Sequence, residues 1–295
     1  MNAKKVDKIA TIVIYCLVSI VVLILASLLG FVLVAGLPHI NWHFLTSSAS
    51  AFNAGGGIAD QLFNSLYLLI LTMIISLPIA LLAGIYLAEY APKNWFTEAI
   101  KVMIEVLSSL PSVVVGLFVF LLFVVRFQMG FSILSGAIAL TFFNLPLLTR
   151  SIETSLSNVS SLQRQAGLSL GLSRWKTVTK IILPSALPGI ITGIILSAGR
   201  VFGEAAALIF TAGQSSPKLD FANWNPMIAN SPLNIFRPAE TLAVHIWKIN
   251  AEGVMSDASA VSAGASAVLI LVVLFFNLTA RKVGEIIYQK MTASR

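Results

Sequence analysis

Charged residues are scarce in this chain of 295 residues, where they make up 11%. A soluble domain carries about 25%. Hydrophobic residues make up 57%, and the mean hydropathy is +0.91. A water-soluble fold of this size could not bury so much apolar surface. The composition therefore excludes a soluble domain and predicts a protein that crosses a membrane several times.

Two further absences narrow the chemistry. The single cysteine, Cys16, lies in the first apolar segment, so an intrachain disulfide is excluded. No GxxxxGK[ST] sequence occurs, and no GxGxxG follows a strand-like segment, so we expect no P-loop ATP site. His39 and His43 have a metal-binding spacing, but no third ligand is nearby, and we predict neither a metal site nor catalytic residues. Any energy source must then come from a partner.

Six apolar segments reach the roughly 20 residues that a helix needs to cross a bilayer. Because irregular backbone cannot face lipid, each is predicted to be helical. The predicted fold class is thus an all-α membrane bundle with six transmembrane helices, in which Pro78, Pro111 and Pro146 introduce kinks. The predicted spans are Ile9–Leu37, Leu62–Glu89, Glu98–Val125, Phe131–Leu148, Pro188–Thr211 and Ser259–Ala280.

Basic residues concentrate on one side of these spans. The positive-inside rule assigns that side to the cytoplasm. We therefore predict cytoplasmic tails at residues 1–8 and 283–295, a transmembrane region at 9–282, and an extracytoplasmic loop at 212–257. The basic residues on the predicted cytoplasmic side are Lys4, Lys5, Lys8, Lys93, Lys101, Arg150, Arg164, Arg174, Lys176, Lys180, Arg281, Lys282, Lys290 and Arg295.

The connection at residues 151–187 contains signals for two short helices. Ser160 with Gln163 three residues later is a capping-box pattern that begins a helix. Gly171 stands where a helix ends in the left-handed conformation. Ser173 can cap a second helix that ends before Pro184. We expect both helices to lie across the membrane face.

The residues between these signals are small or apolar. Gln165 to Leu170 are predicted to face outward, and the small Ala166 and Gly167 would let a partner approach closely. Arg164 and other basic residues would surround the contact. An amphipathic connector lying on anionic lipid would also explain the basic residues.

The spacing resembles the loop through which bacterial ABC-importer permeases contact their ATPase subunits. Gly171 follows Gly167 by four residues, and Ile181-x-Leu183-Pro184 begins ten residues further on. The chain departs from the pattern at Gln165, where the family often has Glu, and at Gly167, where it has Ala. The resemblance implies a type I importer permease (MetI-like) fold. It also implies coupling to an ATPase through Gln165, Ala166, Gly167, Gly171, Ile181, Leu183 and Pro184.

The fifth span contains two charges. Arg200 lies about 18 Å beyond Pro188 along a helix, near the predicted midplane. Glu204 follows four residues later and is predicted to share its helical face. Charge at the midplane costs roughly 3 kcal/mol or more and usually faces a cavity. The two residues either neutralise each other in a packed bundle or line a translocation path.

Two stretches resemble the permeases of bacterial phosphate-specific transport systems, especially the A-type subunit. They are Arg200-x-x-Gly203-Glu204 and Leu110-Pro111-Ser112-Val113-Val114-x-Gly116-Leu117-Phe118. The resemblance implies a phosphate path past Arg200 and Glu204 in the bacterial cytoplasmic membrane. It implies as partners a C-type sister permease, two ATPase subunits that hold ATP and Mg²⁺, and an extracytoplasmic phosphate-binding protein. No cofactor is expected on this chain.

Several alternatives stay open. Asn144, near Pro146, could touch substrate or hydrogen-bond across helices. Glu204 could favour protonated oxyanions or temper the binding strength of Arg200. The cargo could be sulfate or molybdate. A secondary transporter would need no ATPase but often shows an inverted repeat, and no convincing repeat is visible between the halves. A membrane scaffold or sensor is a further possibility.

Overall fold

The computed structural model describes residues 3–50, 54–253 and 256–293, and every regular element in these ranges is helical. Short 3₁₀ or π segments adjoin some of the α-helices, at Leu37–His39, Tyr86–Tyr90, Phe120–Arg126 and Val178–Ile182. The α-helices are α1 (Ala3–Gly36), α2 (Trp42–Thr46), α3 (Ala59–Ile85), α4 (Trp95–Ser109), α5 (Ser112–Val119), α6 (Ile133–Ser157), α7 (Ser161–Ser169), α8 (Arg174–Thr177), α9 (Leu183–Phe202), α10 (Ala206–Thr211), α11 (Leu242–Glu252) and α12 (Ala258–Ala293).

Five helical runs among these residues are long and apolar enough to cross a membrane, and a bent pair makes a sixth if its two helices form one span. The bent pair replaces the single kinked helix predicted at Glu98–Val125 with two separate helices. The chain turns by 98° between α4 and α5. Leu110 is extended, with φ −64° and ψ 137°, because the following Pro111 disfavours the helical conformation at the residue before it. The expected kink at Pro111 is therefore a sharp corner.

The predicted fifth span, Pro188–Thr211, also needs correction. Its helical run begins at Arg174 and ends at Phe202, and α10 follows as a separate short helix. Pro184 does not end the second coupling helix as expected. It occupies the start of α9 directly after the π segment Val178–Ile182, and a shifted hydrogen-bond pattern there accommodates its missing N–H.

Other helices run beyond the predicted boundaries. The fourth extends to Ser157, inside the segment predicted to be the coupling loop. The first and last include much of the predicted tails, from Ala3 and up to Ala293. The apolar stretches locate only the part of each helix that needs a nonpolar environment, whereas the helical backbone continues through polar residues on either side.

The centre of the molecule is the packing of α6 against α3 and α9. Its core includes the fully or almost fully buried Leu68, Leu140 and Ala198. By contrast, the most apolar window of α1 contains no buried residue, and α1 packs mainly along α12. At Gly36 a Cβ atom would lie 2.2 Å from the Ala263 carbonyl oxygen, so glycine is needed for this close approach. The central helices therefore position the sites described below.

Two ion pairs attach α4 to α6. Lys101 Nζ lies 2.7 Å from Glu153 Oε1, and Arg150 Nη1 lies 3.3 Å from Glu105 Oε2. One face of α4 is therefore held on the bundle by charge. The opposite face exposes Trp95, Phe96, Val102, Met103, Val106 and Leu107.

Candidate functional site

The coupling segment, residues 160–184, has the local structure that its sequence signals predict. The Ser160 hydroxyl accepts a hydrogen bond from Leu162 N at 3.3 Å and begins α7. Gly171 has a φ of +77°, which confirms the left-handed residue after α7. The Ser173 hydroxyl accepts from Lys176 N at 3.3 Å and begins α8. Caps and glycine thus define the two short helices, although the second continues into α9.

The outer surface of α7 is a mixture of polar and apolar groups. Gln165, Ala166 and Gly171 are exposed. They lie beside apolar side chains that have no neighbour to cover them, including Leu170, which is 79% exposed. Exposed leucines next to small residues form an apolar surface of the kind that contacts another protein or a membrane.

Gly167 does not face outward, which corrects the expectation that it admits a partner. The residue is buried, and a Cβ atom there would lie 2.8 Å from both Ile181 Cδ1 and Thr177 Cγ2. Its small size lets α7 pack on the helical run that follows it. Ile181 and Leu183 are half-buried and Pro184 is buried, so these three residues support the coupling segment from beneath.

Arg164 is also directed inward. Its Nε and Nη2 lie 2.9 Å and 2.8 Å from Glu89 Oε1, and Nη2 donates to the Leu156 carbonyl at 2.6 Å. Nη1 donates to the Val159 carbonyl. The guanidinium therefore does not surround a partner contact, as expected from sequence. It joins α7 to the end of α6 and to the π segment that follows α3.

Sequence reasoning missed Glu89 as a functional candidate. It lies at the end of an apolar span, 75 residues before Arg164, and both side chains are largely buried. The sequence offered one sign of this role: Glu89 is a carboxylate at the end of a predicted span, on the same predicted side of the membrane as the coupling segment. This pair makes a mechanical connection between that segment and α3.

Arg200 occupies the last turn of α9 and stacks on an aromatic ring. Its Cζ lies 3.8 Å from the ring centroid of Phe143, a buried residue of α6. Arg200 is half-buried, and it donates no hydrogen bond and forms no ion pair with any residue in the described ranges. Its donors are therefore available to a ligand.

Glu204 is not on the same helical face as Arg200, so that prediction is wrong. The helix ends at Phe202, and Gly203 caps it. Beyond the break, Glu204 Oε1 accepts a hydrogen bond from Ala207 N at 3.2 Å, at the start of α10. Four-residue spacing predicts a shared face only in a continuous helix. The carboxylate consequently does not neutralise Arg200.

Asn144 lies next to Phe143 in sequence but has no exposed surface. Its Oδ1 accepts a hydrogen bond from the Ser197 hydroxyl, and its Nδ2 lies 3.9 Å from Met73 Sδ. The amide thus connects α6 with α9 and α3. Of the two roles considered for Asn144, the hydrogen bond across helices is therefore present. Its partner, Ser197, lies one turn before Arg200 on α9.

The two stretches that resemble phosphate permeases are connected through Ala207, which follows the stretch that ends at Glu204. A Cβ atom at Gly116, in α5, would lie 2.7 Å from Ala207 Cα, in α10. Glycine at this position lets α5 contact the backbone of the residue whose N–H binds Glu204. The corner at Pro111 brings α5 to this contact.

A second polar cluster lies around the first turn of α3, and sequence reasoning missed it. Arg237 and Glu240 belong to the predicted extracytoplasmic loop, yet they are only 3% and 5% exposed. Arg237 Nη2 donates to Asn64 Oδ1 at 2.8 Å, and Nε donates to the Ser231 carbonyl at 3.1 Å. Burial lowers the pKa of Arg237 to about 10. The only signal was the presence of Asn64 and its polar neighbours at the start of an apolar span.

Comparison with known proteins is consistent with this arrangement. Residues 77–293 match the family model "Binding-protein-dependent transport system inner membrane component". The chain is 51% identical over 294 residues to the "Probable ABC transporter permease protein YqgI" of Bacillus subtilis, with 100% of both chains covered. It is 38% identical over 177 residues to the "Phosphate transport system permease protein PstA" of Xylella fastidiosa. That match covers 60% of this chain and 62% of the relative.

The fold is also found among solved structures. A chain from the crystal structure of a bacterial alginate ABC transporter, in complex with an alginate-pentasaccharide-bound periplasmic protein, has a TM-score of 0.66. It is 14% identical, and the match covers 98% of this chain and 99% of that one. The MetI-like permease architecture expected from the coupling segment is thereby confirmed. The chain belongs to the family of binding-protein-dependent transport system inner membrane components, and it is a multi-pass membrane permease subunit of an ABC importer rather than an enzyme.

Proposed function

We propose that this chain is the A-type permease subunit of an ATP-driven inorganic phosphate importer. The observation that carries the proposal is the state of Arg200, a half-buried guanidinium between the central helices with no carboxylate or carbonyl partner among the described residues. The likeness of nearly two thirds of the chain to phosphate permeases supports the same substrate.

The chemistry of Arg200 suits an oxyanion. A guanidinium keeps its charge and presents a planar set of donors that matches phosphate oxygens. Stacking on Phe143 stabilises the cation through the ring face and uses none of its N–H groups. The site can therefore hold a fixed positive charge without a resident counter-ion that phosphate would have to displace.

Glu204 would contribute selectivity rather than charge neutralisation. Phosphate near neutral pH carries one or two protons and can donate a hydrogen bond to a carboxylate, whereas sulfate cannot. One Glu204 oxygen is occupied by Ala207 N, and the other has no partner among the described residues. We infer that this second oxygen favours protonated oxyanions in the path near Arg200.

The coupling segment is the proposed contact with the ATPases. Its exposed residues Gln165 and Ala166 and the neighbouring leucines would dock on an ATPase subunit, which binds ATP and Mg²⁺ itself. Movement of α7 would reach α3 through the Arg164–Glu89 pair. It would reach α9 through the packing of Gly167 on Thr177 and Ile181.

The complete transporter would contain this chain, a C-type sister permease, two ATPase subunits and an extracytoplasmic phosphate-binding protein. The pore would be heterodimeric. Both termini and the coupling segment would be cytoplasmic, because basic residues concentrate at that end of the spans. The cluster around Arg237 would then face the extracytoplasmic side.

Reconstitution of the complex in liposomes tests this function. The measurement is ATP-dependent uptake of labelled phosphate in competition with sulfate, with and without the Arg200→Ala substitution. Uptake of phosphate alone, lost in Arg200→Ala while the complex still assembles, is the expected result. Transport that does not require ATP would contradict the coupling mechanism.

A second candidate is a permease for another oxyanion, sulfate or molybdate. The free guanidinium of Arg200 favours anions as a class, and the full-length relative YqgI is named only as an ABC transporter permease. ATP-dependent uptake of sulfate or molybdate in the same liposomes, without phosphate uptake, would favour this candidate.

A further inference from the structure

We propose that a cavity around the first turn of α3 receives a lysine or arginine side chain of the extracytoplasmic binding protein when that protein docks. The inference rests on the orientation given under the proposed function, but it does not depend on phosphate as the cargo. Asp60 and Gln61 line the cavity from α3, and Glu240 and His245 line it from the loop before α11 and from α11 itself.

The cavity lies far from the coupling segment. Asp60 is in the first turn of α3, whereas Glu89, which binds Arg164, follows the last turn of the same helix. At 1.5 Å per residue the two ends are about 40 Å apart. A ligand in this cavity would therefore act at the face opposite to the proposed ATPase contact.

Three buried polar atoms of the cavity lining have no hydrogen-bond partner. They are Asp60 Oδ1, Gln61 Oε1 and His245 Nε2, on side chains only 4%, 2% and 4% exposed. Buried polar atoms without partners are rare because their desolvation is not compensated. Three of them on side chains that line one cavity leave hydrogen-bonding capacity that a ligand with complementary groups would satisfy.

Their neighbours make these atoms hydrogen-bond acceptors. Gln61 Nε2 donates to Glu240 Oε2 at 2.8 Å, which leaves the Gln61 carbonyl oxygen directed elsewhere. His245 Nδ1 lies 3.1 Å from Glu240 Oε1 and donates its hydrogen there, which in the neutral imidazole makes Nε2 the acceptor. The matching ligand is one that donates several hydrogen bonds.

The charges around the cavity favour a cation. Its lining includes the carboxylates Asp60, Glu240 and Glu252, against the ammonium groups of Lys218 and Lys248. Lys248 is already engaged, because its Nζ donates to the Gln214 carbonyl at 2.9 Å and lies 4.0 Å from Glu240 Oε1. An ammonium or guanidinium group offers donors only, whereas an anion would meet unpaired oxygens.

The size and remaining lining match a long side chain better than a single ion. The cavity has a volume of about 460 Å³, within the range of roughly 300–1,000 Å³ that is typical of ligand pockets. Ile249 and Ala258 provide apolar surface along which the alkyl part of lysine or arginine could lie. A side chain bound in this cavity would fix the position of the docked binding protein. It would also contact Asp60 and Gln61, so docking would act directly on α3.

Cysteine reactivity tests the proposal in the assembled complex in nanodiscs. In a Cys16→Ser background, Ala49→Cys places a thiol in the cavity lining, and Asn225→Cys places a control thiol on the exposed loop. The probes are the cationic aminoethyl and the anionic sulfonatoethyl methanethiosulfonates. We expect the ratio of cationic to anionic rates to be about tenfold higher at Ala49→Cys than at the control. Equal ratios, or faster reaction with the anion, would overturn the proposal.

The second part of the experiment measures the effect of docking by the binding protein. Saturating binding protein should slow the cationic reagent at Ala49→Cys about fivefold or more and leave Asn225→Cys unaffected unless that loop is also covered. Asp60→Asn should weaken docking about tenfold and Glu252→Gln about threefold, whereas Asp220→Asn, on the exposed loop outside the cavity, should not. Unchanged docking by both cavity variants, or unchanged labelling, would show that water or a free cation fills the cavity.

The two proposals can fail separately. A wild-type complex that does not bind a phosphate-binding protein, but binds and is labelled as expected with another binding protein, contradicts only the phosphate assignment. A complex that imports phosphate but shows no protection at Ala49→Cys contradicts only the cavity proposal.

Discussion

Arg200 and Phe143 form a cation–π pair with 3.8 Å between the guanidinium carbon and the ring centroid. The pair connects the end of α9 to the middle of α6, and it replaces the Arg200–Glu204 ion pair that the spacing in sequence suggested. Because a ring face does not accept all the donors of a guanidinium, Arg200 is held in position and still free to bind an anion. This relationship makes Phe143 a positioning residue for the proposed phosphate path.

Substitution of Phe143 should weaken phosphate handling more than it weakens the complex. A cation–π contact contributes about 0.5–2 kcal/mol, so Phe143→Leu is expected to raise the KM for phosphate uptake roughly 2- to 30-fold. Phe143→Tyr keeps a ring and should recover part of the loss. The matched control is Phe142→Leu, because Phe142 is the exposed neighbour in the same helix. Equal KM values for Phe143→Leu and Phe142→Leu would show that the ring does not position Arg200.

The substitution Glu204→Gln tests the role of the carboxylate in anion selectivity without disturbing the start of α10. The glutamine carbonyl can still accept the hydrogen bond from Ala207 N, so α10 should begin as in the parent. We expect the preference for phosphate over sulfate to fall roughly 10- to 150-fold, because one good hydrogen bond to a charged group contributes about 1.5–3 kcal/mol. Uptake of both anions in competition measures this ratio. An unchanged ratio and unchanged phosphate uptake would rule out a selectivity role for the carboxylate.

Arg164→Met should uncouple transport from ATP hydrolysis. Removing one partner leaves Glu89 largely buried without its cation and the Leu156 and Val159 carbonyls without their donor, a loss on the order of 3 kcal/mol. The coupling segment would then move without α3. The measurement is phosphate imported per ATP hydrolysed, with Arg174→Met, an exposed arginine of the same segment, as control. A coupling ratio equal to that of the control would contradict the connection.

Gly167 should tolerate no added bulk. Gly167→Asp is expected to abolish transport and ATPase docking while membrane insertion is retained, and even Gly167→Ala places a Cβ 2.8 Å from Ile181 Cδ1. Overpacking of this kind costs about 1–3 kcal/mol. Ala166→Val, at the exposed neighbouring position, is the control for added volume.

A second substitution identifies the cause of a Gly167→Ala defect. Ile181→Val removes one of the two methyl groups nearest to the new Cβ, the other being Thr177 Cγ2, and should restore part of the ATPase binding, measured by co-purification of the subunits. Since Ile181 belongs to the same chain, rescue indicates a packing fault within the coupling segment. A defect that neither Ile181→Val nor Thr177→Ser relieves would instead favour direct contact between Gly167 and the ATPase.

The sequence itself determined the helical class, the membrane location and the local form of the coupling segment. Apolar length and scarce charge act on each segment separately, because a helix satisfies its own backbone groups in lipid. The Ser160 and Ser173 caps and the left-handed Gly171 likewise depend on neighbours within a few residues. Such short-range signals could be interpreted without knowledge of the fold.

Only the tertiary structure decided which way the functional side chains point. The helix end at Phe202 separates Arg200 from Glu204, and the ring that Arg200 contacts belongs to another helix. Arg164 turns inward because Glu89, 75 residues earlier, lies beneath it, and Gly167 turns inward because the helical run that contains Thr177 and Ile181 folds against it. The cavity at Asp60 and the burial of Arg237 arise in the same way, since a loop folds back over α3. Contacts between segments remote in sequence leave no local pattern, so these features appear only when the helices are packed together.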